Sequence, residues 1–196
     1  AEQPIDLKSI SEVKHDYQLA DTPEKRKDLV RQLEKQDAFC FDTETDSLNA
    51  LSTQLVGLAF SFKKGSAYYV PCPADQDEAR AIAHEFKALL EDTQKTKIAQ
   101  NLKFDLLVLK KYGVEIKGPI FDTMIAHYLL DPETGHSMDM MAENYLQYKP
   151  VSIESLIGKK GKNQGSMRDL SPEDIVEYAG EDADITLQLK EKFTGE

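Results

Sequence analysis

Positive charge is in short supply in this chain: 24 Lys and Arg stand against 35 Asp and Glu in 196 residues, a net charge of −11. That balance argues against a broad basic surface for gripping nucleic acid. It leaves room for a nucleic-acid enzyme whose active site is itself acidic and holds cations. Cysteine is scarce too. Cys40 and Cys72 lie in apolar surroundings without metal-ligand spacing, so reduced, packed thiols in a cytosolic protein are expected. No apolar run is long enough to cross a membrane, and no stretch reads as a signal peptide. Internal repeats and low-complexity tracts are lacking. The chain opens at Ala1 rather than at a methionine, which reads as a piece of something longer.

What is present is globular in character, with 40% apolar and 30% charged residues, enough for one sizeable core and one domain over 1–196. Tyr17 to Ala20 is compatible with a short edge strand. Thr22 and Pro23 start a helix that runs to about Gln36. Phe39–Phe41, Gln54–Phe62 and Ala67–Pro71 read as an antiparallel meander, the last two joined by a turn at Lys63–Ser66. Helical periodicity covers 75–90, 101–112 (capped by Asn101, stopped by Gly113), 122–130 and 138–146, with short strands at 97–99 and 120–121. Ser171 and Pro172 open the final helix. Together these elements predict an α/β fold with one mixed sheet covered by helices.

The informative feature is where the acids stand. Asp42 and Glu44 extend the apolar strand Phe39-Cys40-Phe41. Being two apart they share a face, roughly 7 Å from each other along the strand. Alone, this reads equally well as a strand ending in a solvated turn. Asp105 shares a helix face with Asn101, Leu102, Val108 and Leu109. Asp182 lies in the inner stripe Ile175, Tyr178, Ala179, Ile185, Leu189, whereas Glu177, Glu181 and Asp184 read as ordinary solvated acids. For Asp105 or Asp182 singly, a capping or paired structural acid is the commoner explanation. Jointly they say more. Two converging charges about 6 Å apart repel by roughly 3 kcal/mol at an effective dielectric near 20. Four such groups call for divalent cations, and an all-oxygen set favours Mg²⁺ or Mn²⁺ over zinc. Two ions about 4 Å apart are the apparatus for in-line phosphoryl displacement.

Four segments carry a resemblance: Phe41-Asp42-Thr43-Glu44-Thr45-Asp46-Ser47-Leu48, Gln100-Asn101-Leu102-Lys103-Phe104-Asp105, Phe121-Asp122-Thr123-Met124 and Tyr178-Ala179-Gly180-Glu181-Asp182-Ala183-Asp184. Together they resemble the 3′–5′ proofreading exonuclease domain of bacterial DNA polymerase I, in the tyrosine branch of the four-carboxylate exonucleases. The resemblance implies a ribonuclease-H-like fold, here a five-stranded mixed sheet flanked by helices. It implies removal of single nucleotides from a DNA 3′ end. Asp42, Glu44 and Asp182 would hold the first ion (Mg²⁺ or Mn²⁺, with Zn²⁺ admissible), with Asp42 bridging to a second that Asp105 supports through water. Tyr178 would orient the attacking water beside Glu44. Leu48 would wedge against the terminal base, Thr45 would fix the terminal sugar, and Gln100, Asn101, Phe104, His136 and Lys162 would meet the strand.

The partners implied are a single-stranded or frayed 3′ end and a polymerase domain in the same chain, in a monomeric bacterial cytoplasmic protein. There are departures from the family's pattern: Phe104 replaces a common tyrosine, His136 an arginine, and Ile153 an aromatic. The basic cluster Lys159, Lys160, Lys162 reads either as a solvated loop or as a contact with phosphates. Two other readings are a free-standing exoribonuclease of the ribonuclease D type and a silent DNA-end-binding module.

Overall fold

The computed structural model describes residues 6–195. Its sheet has six strands, β1 (Asp16–Leu19), β2 (Ala38–Thr45), β3 (Leu55–Lys63), β4 (Ser66–Pro71), β5 (Thr96–Ala99) and β6 (Ile120–Asp122), in the order β1-β4-β3-β2-β5-β6. The meander β2-β3-β4 is antiparallel, whereas β1 on β4, β5 on β2 and β6 on β5 pair in parallel. This corrects the expected five strands to six. The addition is β1, which binds the free edge of β4 through the register Asp16 to Ser66 and Leu19 to Tyr69.

Strand β2 shows how the pleat distributes the core. Successive side chains leave opposite faces. Phe39 and Phe41 pack with α1 (Pro23–Glu34), α2 (Gln76–Glu85), α3 (Lys87–Leu90) and α4 (Leu102–Lys111). Cys40, between them, packs instead beneath α8 (Pro172–Thr194), against Ala179 and Ala183. The expected helix over 75–90 is two pieces, because the backbone at Phe86 closes α2 and opens α3. Helix α5 (Thr123–Leu130) follows β6. The expected 138–146 helix is a short α6 (Met138–Met141) continued by a π turn over Ala142–Leu146. Another helix, α7 (Ile153–Ile157), lies inside the segment that sequence leaves irregular. Both cysteines are buried and unbridged. Among the described residues no helix is long and apolar enough to cross a membrane.

At 23 residues, α8 is the longest helix and spans the sheet against β1, β2, β3 and β4. Ser171 accepts from Asp174 N at its start, Pro172 occupies the first turn, and Glu173 and Asp174 oppose the helix dipole. Gly180 allows close packing on β1, since a Cβ there would fall 2.8 Å from the Tyr17 ring.

Candidate active site

The C-terminal end of β2 carries the acids. Asp42 and Glu44 continue the Cys40 side of the pleat, toward α8, where Tyr178 and Asp182 stand one helical turn apart. One oxygen from each of Asp42, Glu44 and Asp182 lies within 4.8 Å of the others. The register helps. Glu44 lies opposite Gly57 of β3, and that glycine leaves room for the Tyr69 ring, which a Cβ would meet at 2.3 Å. A bulge after Glu44 then turns the chain out of the sheet.

Asp105 reaches the same rim from the other face. Its Oδ1 accepts from Thr43 N at 3.1 Å and from Thr43 Oγ1 at 2.6 Å, and Thr43 points toward α4 because it lies one residue off Asp42 and Glu44. Three of the four carboxylates therefore converge from the α8 side, with the fourth pinned beside them. Sequence reasoning missed Thr43, although strand alternation was the available signal.

Burial and mutual repulsion set the electrostatics. Burial pushes Asp42 up to about 7. Glu44, Asp105 and Asp182 are held well above the usual carboxylate range, first by burial and then by the charge of Asp42 and its neighbours. Burial, then the charges of Asp182 and Glu44, pushes the Tyr178 phenol up. Oε1 of Glu44 is buried with no hydrogen-bond partner among the described residues. A buried, unpaired carboxylate oxygen is expensive to leave alone. An all-carboxylate donor set with such an orphaned oxygen fits a hard divalent cation.

Two hollows of about 600 and 520 Å³ flank the acids and share Asp42, Leu48, Phe104, Tyr178 and Asp182 along their walls. Leu48 is 84% exposed on a loop that Asp46 fastens by accepting from Thr53 Oγ1 and Gln54 N. Thr45 lines the larger hollow and donates to Ser47 O. Gln100 and Asn101 line the smaller one. Gln100 is already engaged, donating to His136 O and accepting from Thr123 Oγ1.

Asn101 is not a side-chain cap. It sits in the left-handed region with φ 57°, and Asp122 caps α4 instead, accepting from Asn101 N and Leu102 N.

Two expected strand contacts lie elsewhere. His136 faces inward, its Nδ1 2.7 Å from Nδ1 of buried His127, a separation at which one ring donates and the other accepts. It lines neither hollow, though its neighbours Ser137 and Met138 do. Lys162 is exposed and off the groove; Lys160, two residues earlier, lines the larger hollow together with Ile153.

Glu181 and Asp184 are also corrected: both are buried rather than solvated. Glu181 accepts from Val151 N and from Tyr148 Oη, and Asp184 accepts from Tyr17 Oη, Gly65 N and Gln188 Nε2. Glu177 is exposed as expected. Arg168, not singled out from sequence, donates to Cys72 O and Leu55 O and fastens the 166–170 segment to the sheet.

A mixed sheet of this order with a buried acid pocket at its rim has the architecture of an α/β nuclease. Residues 17–196 match the 3′-5′ exonuclease family over most of the chain. The chain is 36% identical over 192 residues to DNA polymerase I of Borreliella burgdorferi, covering 96% of this chain and 21% of that one. It is 37% identical over 169 residues to DNA polymerase I of Pseudomonas aeruginosa, covering 82% and 18%. It thus spans about a fifth of the length of these curated relatives. Among solved structures, Brucella melitensis NrnC superposes with a TM-score of 0.69 at 27% identity, over 93% of this chain and 81% of that one. Trypanosoma brucei RNase D shares the fold, with a TM-score of 0.75 at 19% identity over 93% and 66%. This chain belongs to the 3′-5′ exonuclease family, and its chemistry is that of a nuclease hydrolase.

Proposed function

We propose that the chain is a metal-dependent 3′–5′ exodeoxyribonuclease of the proofreading type, a single domain working within a DNA polymerase I. The observation that carries this reading is the meeting of Asp42, Glu44 and Asp182, with one Glu44 oxygen buried and unpartnered among the described residues. Asp42, Glu44 and Asp182 would hold the first divalent ion, Mg²⁺ or Mn²⁺, with Zn²⁺ also accommodated. Asp42 would also help hold a second ion, and Asp105, its carboxylate fixed by Thr43, would support it. Bound there, such ions lower the pKa of water and neutralise charge developing on the phosphoryl oxygens.

The chain's own residues do the rest. Tyr178 keeps its proton, since burial and its acidic neighbours oppose phenolate formation. It is therefore a hydrogen-bonding guide for the attacking water beside Glu44, not a base, and that role supports reading the chain as one of the tyrosine branch. Leu48 wedges against the terminal base from its fastened loop, and Phe104 packs on the strand. Thr45 sets the terminal sugar, and Gln100 and Asn101 line the arm that receives the last nucleotides. Lys160 takes over the phosphate contact expected of Lys162.

The substrate is a single-stranded or frayed 3′ end, and the partner is a polymerase domain in cis, in a monomeric cytoplasmic protein of a bacterium. The polymerase I relatives covered by nearly the whole chain support this reading. A second reading, a free-standing exoribonuclease, draws on the likeness to NrnC, one of whose structures is bound to pGG.

The test is to incubate 5′- and 3′-labelled deoxy and ribo oligonucleotides of one sequence with the protein, with and without Mn²⁺. Metal-dependent shortening of the deoxy strand from its 3′ end is expected. Preference for the ribo strand selects the second reading, and an intact strand defeats both.

A further inference from the structure

A further hollow, of about 400 Å³, lies at the far end of the sheet from the acids. The placement follows from the register. Glu44 pairs with Gly57 at the active-site end of β2 and β3, whereas Cys40 pairs with Ser61, close to the β3–β4 turn that borders this hollow. Lys8, Lys14 and Lys64 stand around it. Among the described residues none of the three forms an ion pair, in a chain whose net charge is −11.

The one carboxylate in the lining is Asp184, and its oxygens are already taken by Tyr17, Gly65 and Gln188. Three lysines thus border a hollow whose acid is already hydrogen-bonded. The wall is apolar at Val13, Leu146 and Ile185. An adjoining hollow shares Lys64, Leu146 and Gln188 and brings in Lys192 with the amides of Asn144 and Gln147. Cationic rim, apolar wall and a volume at the lower end of small-molecule sites together define the ligand's chemistry: a compact body carrying a dianionic group.

We propose that this hollow binds a nucleoside monophosphate, with the phosphate among Lys8, Lys14 and Lys64 and the base against the Val13–Leu146–Ile185 wall. It is separate from the carboxylate pocket and needs no divalent ion, because its charge is supplied by lysine. An ammonium about 4 Å from a phosphate is worth roughly a fivefold gain in affinity even at the dielectric of water, so three are worth roughly a hundredfold.

Protein stripped of metal with EDTA isolates this site, since the carboxylate pocket then repels anions. Titration with deoxyadenosine monophosphate, followed by amide NMR shifts, is expected to saturate and to move Gly65, Gln188 and Leu146. Inorganic phosphate should bind more weakly at the same amides, and deoxyadenosine should move none of them. The K8Q/K14Q/K64Q protein, altered only at exposed side chains, should keep its fold by circular dichroism and lose roughly a hundredfold in affinity. No saturation by 20 mM, equal binding of the nucleoside, shifts centred on Tyr178 and Asp182, or unchanged affinity of the triple variant would each overturn the proposal.

Discussion

Asp42 illustrates how one residue is both a liability and an instrument. Its carboxylate is pushed up to about 7 by burial, with Glu44 and Asp182 crowding it. D42N removes one charge from that group while keeping the side-chain shape. The metal-free variant is expected to gain about 1–3 kcal/mol, the scale of one close repulsive pair, as read by urea denaturation in EDTA. Its exonuclease rate should fall at least a hundredfold with Mn²⁺ present. A variant both less stable and fully active would mean that Asp42 is an ordinary structural acid.

The pH dependence follows with a definite sign. Folded-state values raised above the unfolded ones mean that the native protein binds more protons, so these groups lower stability as pH rises from about 4 through 7. A divalent ion reverses that loss by favouring the charged forms. The rise in melting temperature produced by Mn²⁺ should therefore be small at pH 5 and large at pH 8. A constant rise across that range would place the ion elsewhere.

At the scale of elements, the helix ends and remote clasps decide the geometry. Asp122 serves two helices, accepting from Asn101 N and Leu102 N of α4 and from Met124 N of α5. D122A should cost about 1–2 kcal/mol by thermal melting and raise KM through Gln100 and Asn101. Glu181 ties α8 to the 148–151 segment that precedes α7 and its groove-lining Ile153. E181A, which strands the buried Tyr148 hydroxyl and a half-buried Val151 N–H, should cost about 2–3 kcal/mol, whereas E177A should stay within about 0.5 kcal/mol.

These clasps also mark where sequence stops being readable. The Phe39/Cys40/Phe41 alternation and the helix starts at Pro23 and Pro172 were legible, because they depend on neighbours two to four residues away. The burial of Glu181 and Asp184 was not. Their partners Tyr148, Val151, Tyr17 and Gly65 come from distant segments that enclose α8 on the sides its inner stripe does not describe. The inward turn of His136 was not legible for the same reason, since it depends on His127 across a loop. The edge strand β1 was legible only as an option, as its four residues have no role until β4 offers an edge.

For the whole molecule, the balance of charge governs how a strand is held. With Lys160 on the groove and Lys159 and Lys162 off it, K160Q should lower the slope of log affinity against log salt by about 0.7 for a single strand. K162Q should leave the slope unchanged. Equal effects of the two would return the whole loop to a diffuse, solvated role.

The Thr43–Asp105 hydrogen bonds join what the sheet otherwise keeps apart. Because Asp105 arrives from the α4 layer and Asp182 from the α8 layer, both cores reach this rim and must agree on its dimensions. A void opened deep in either layer, even by trimming Leu109 or Leu187, is then felt as a mis-set distance between acids. Affinity for the ion becomes a gauge of how well both sides of the sheet are packed.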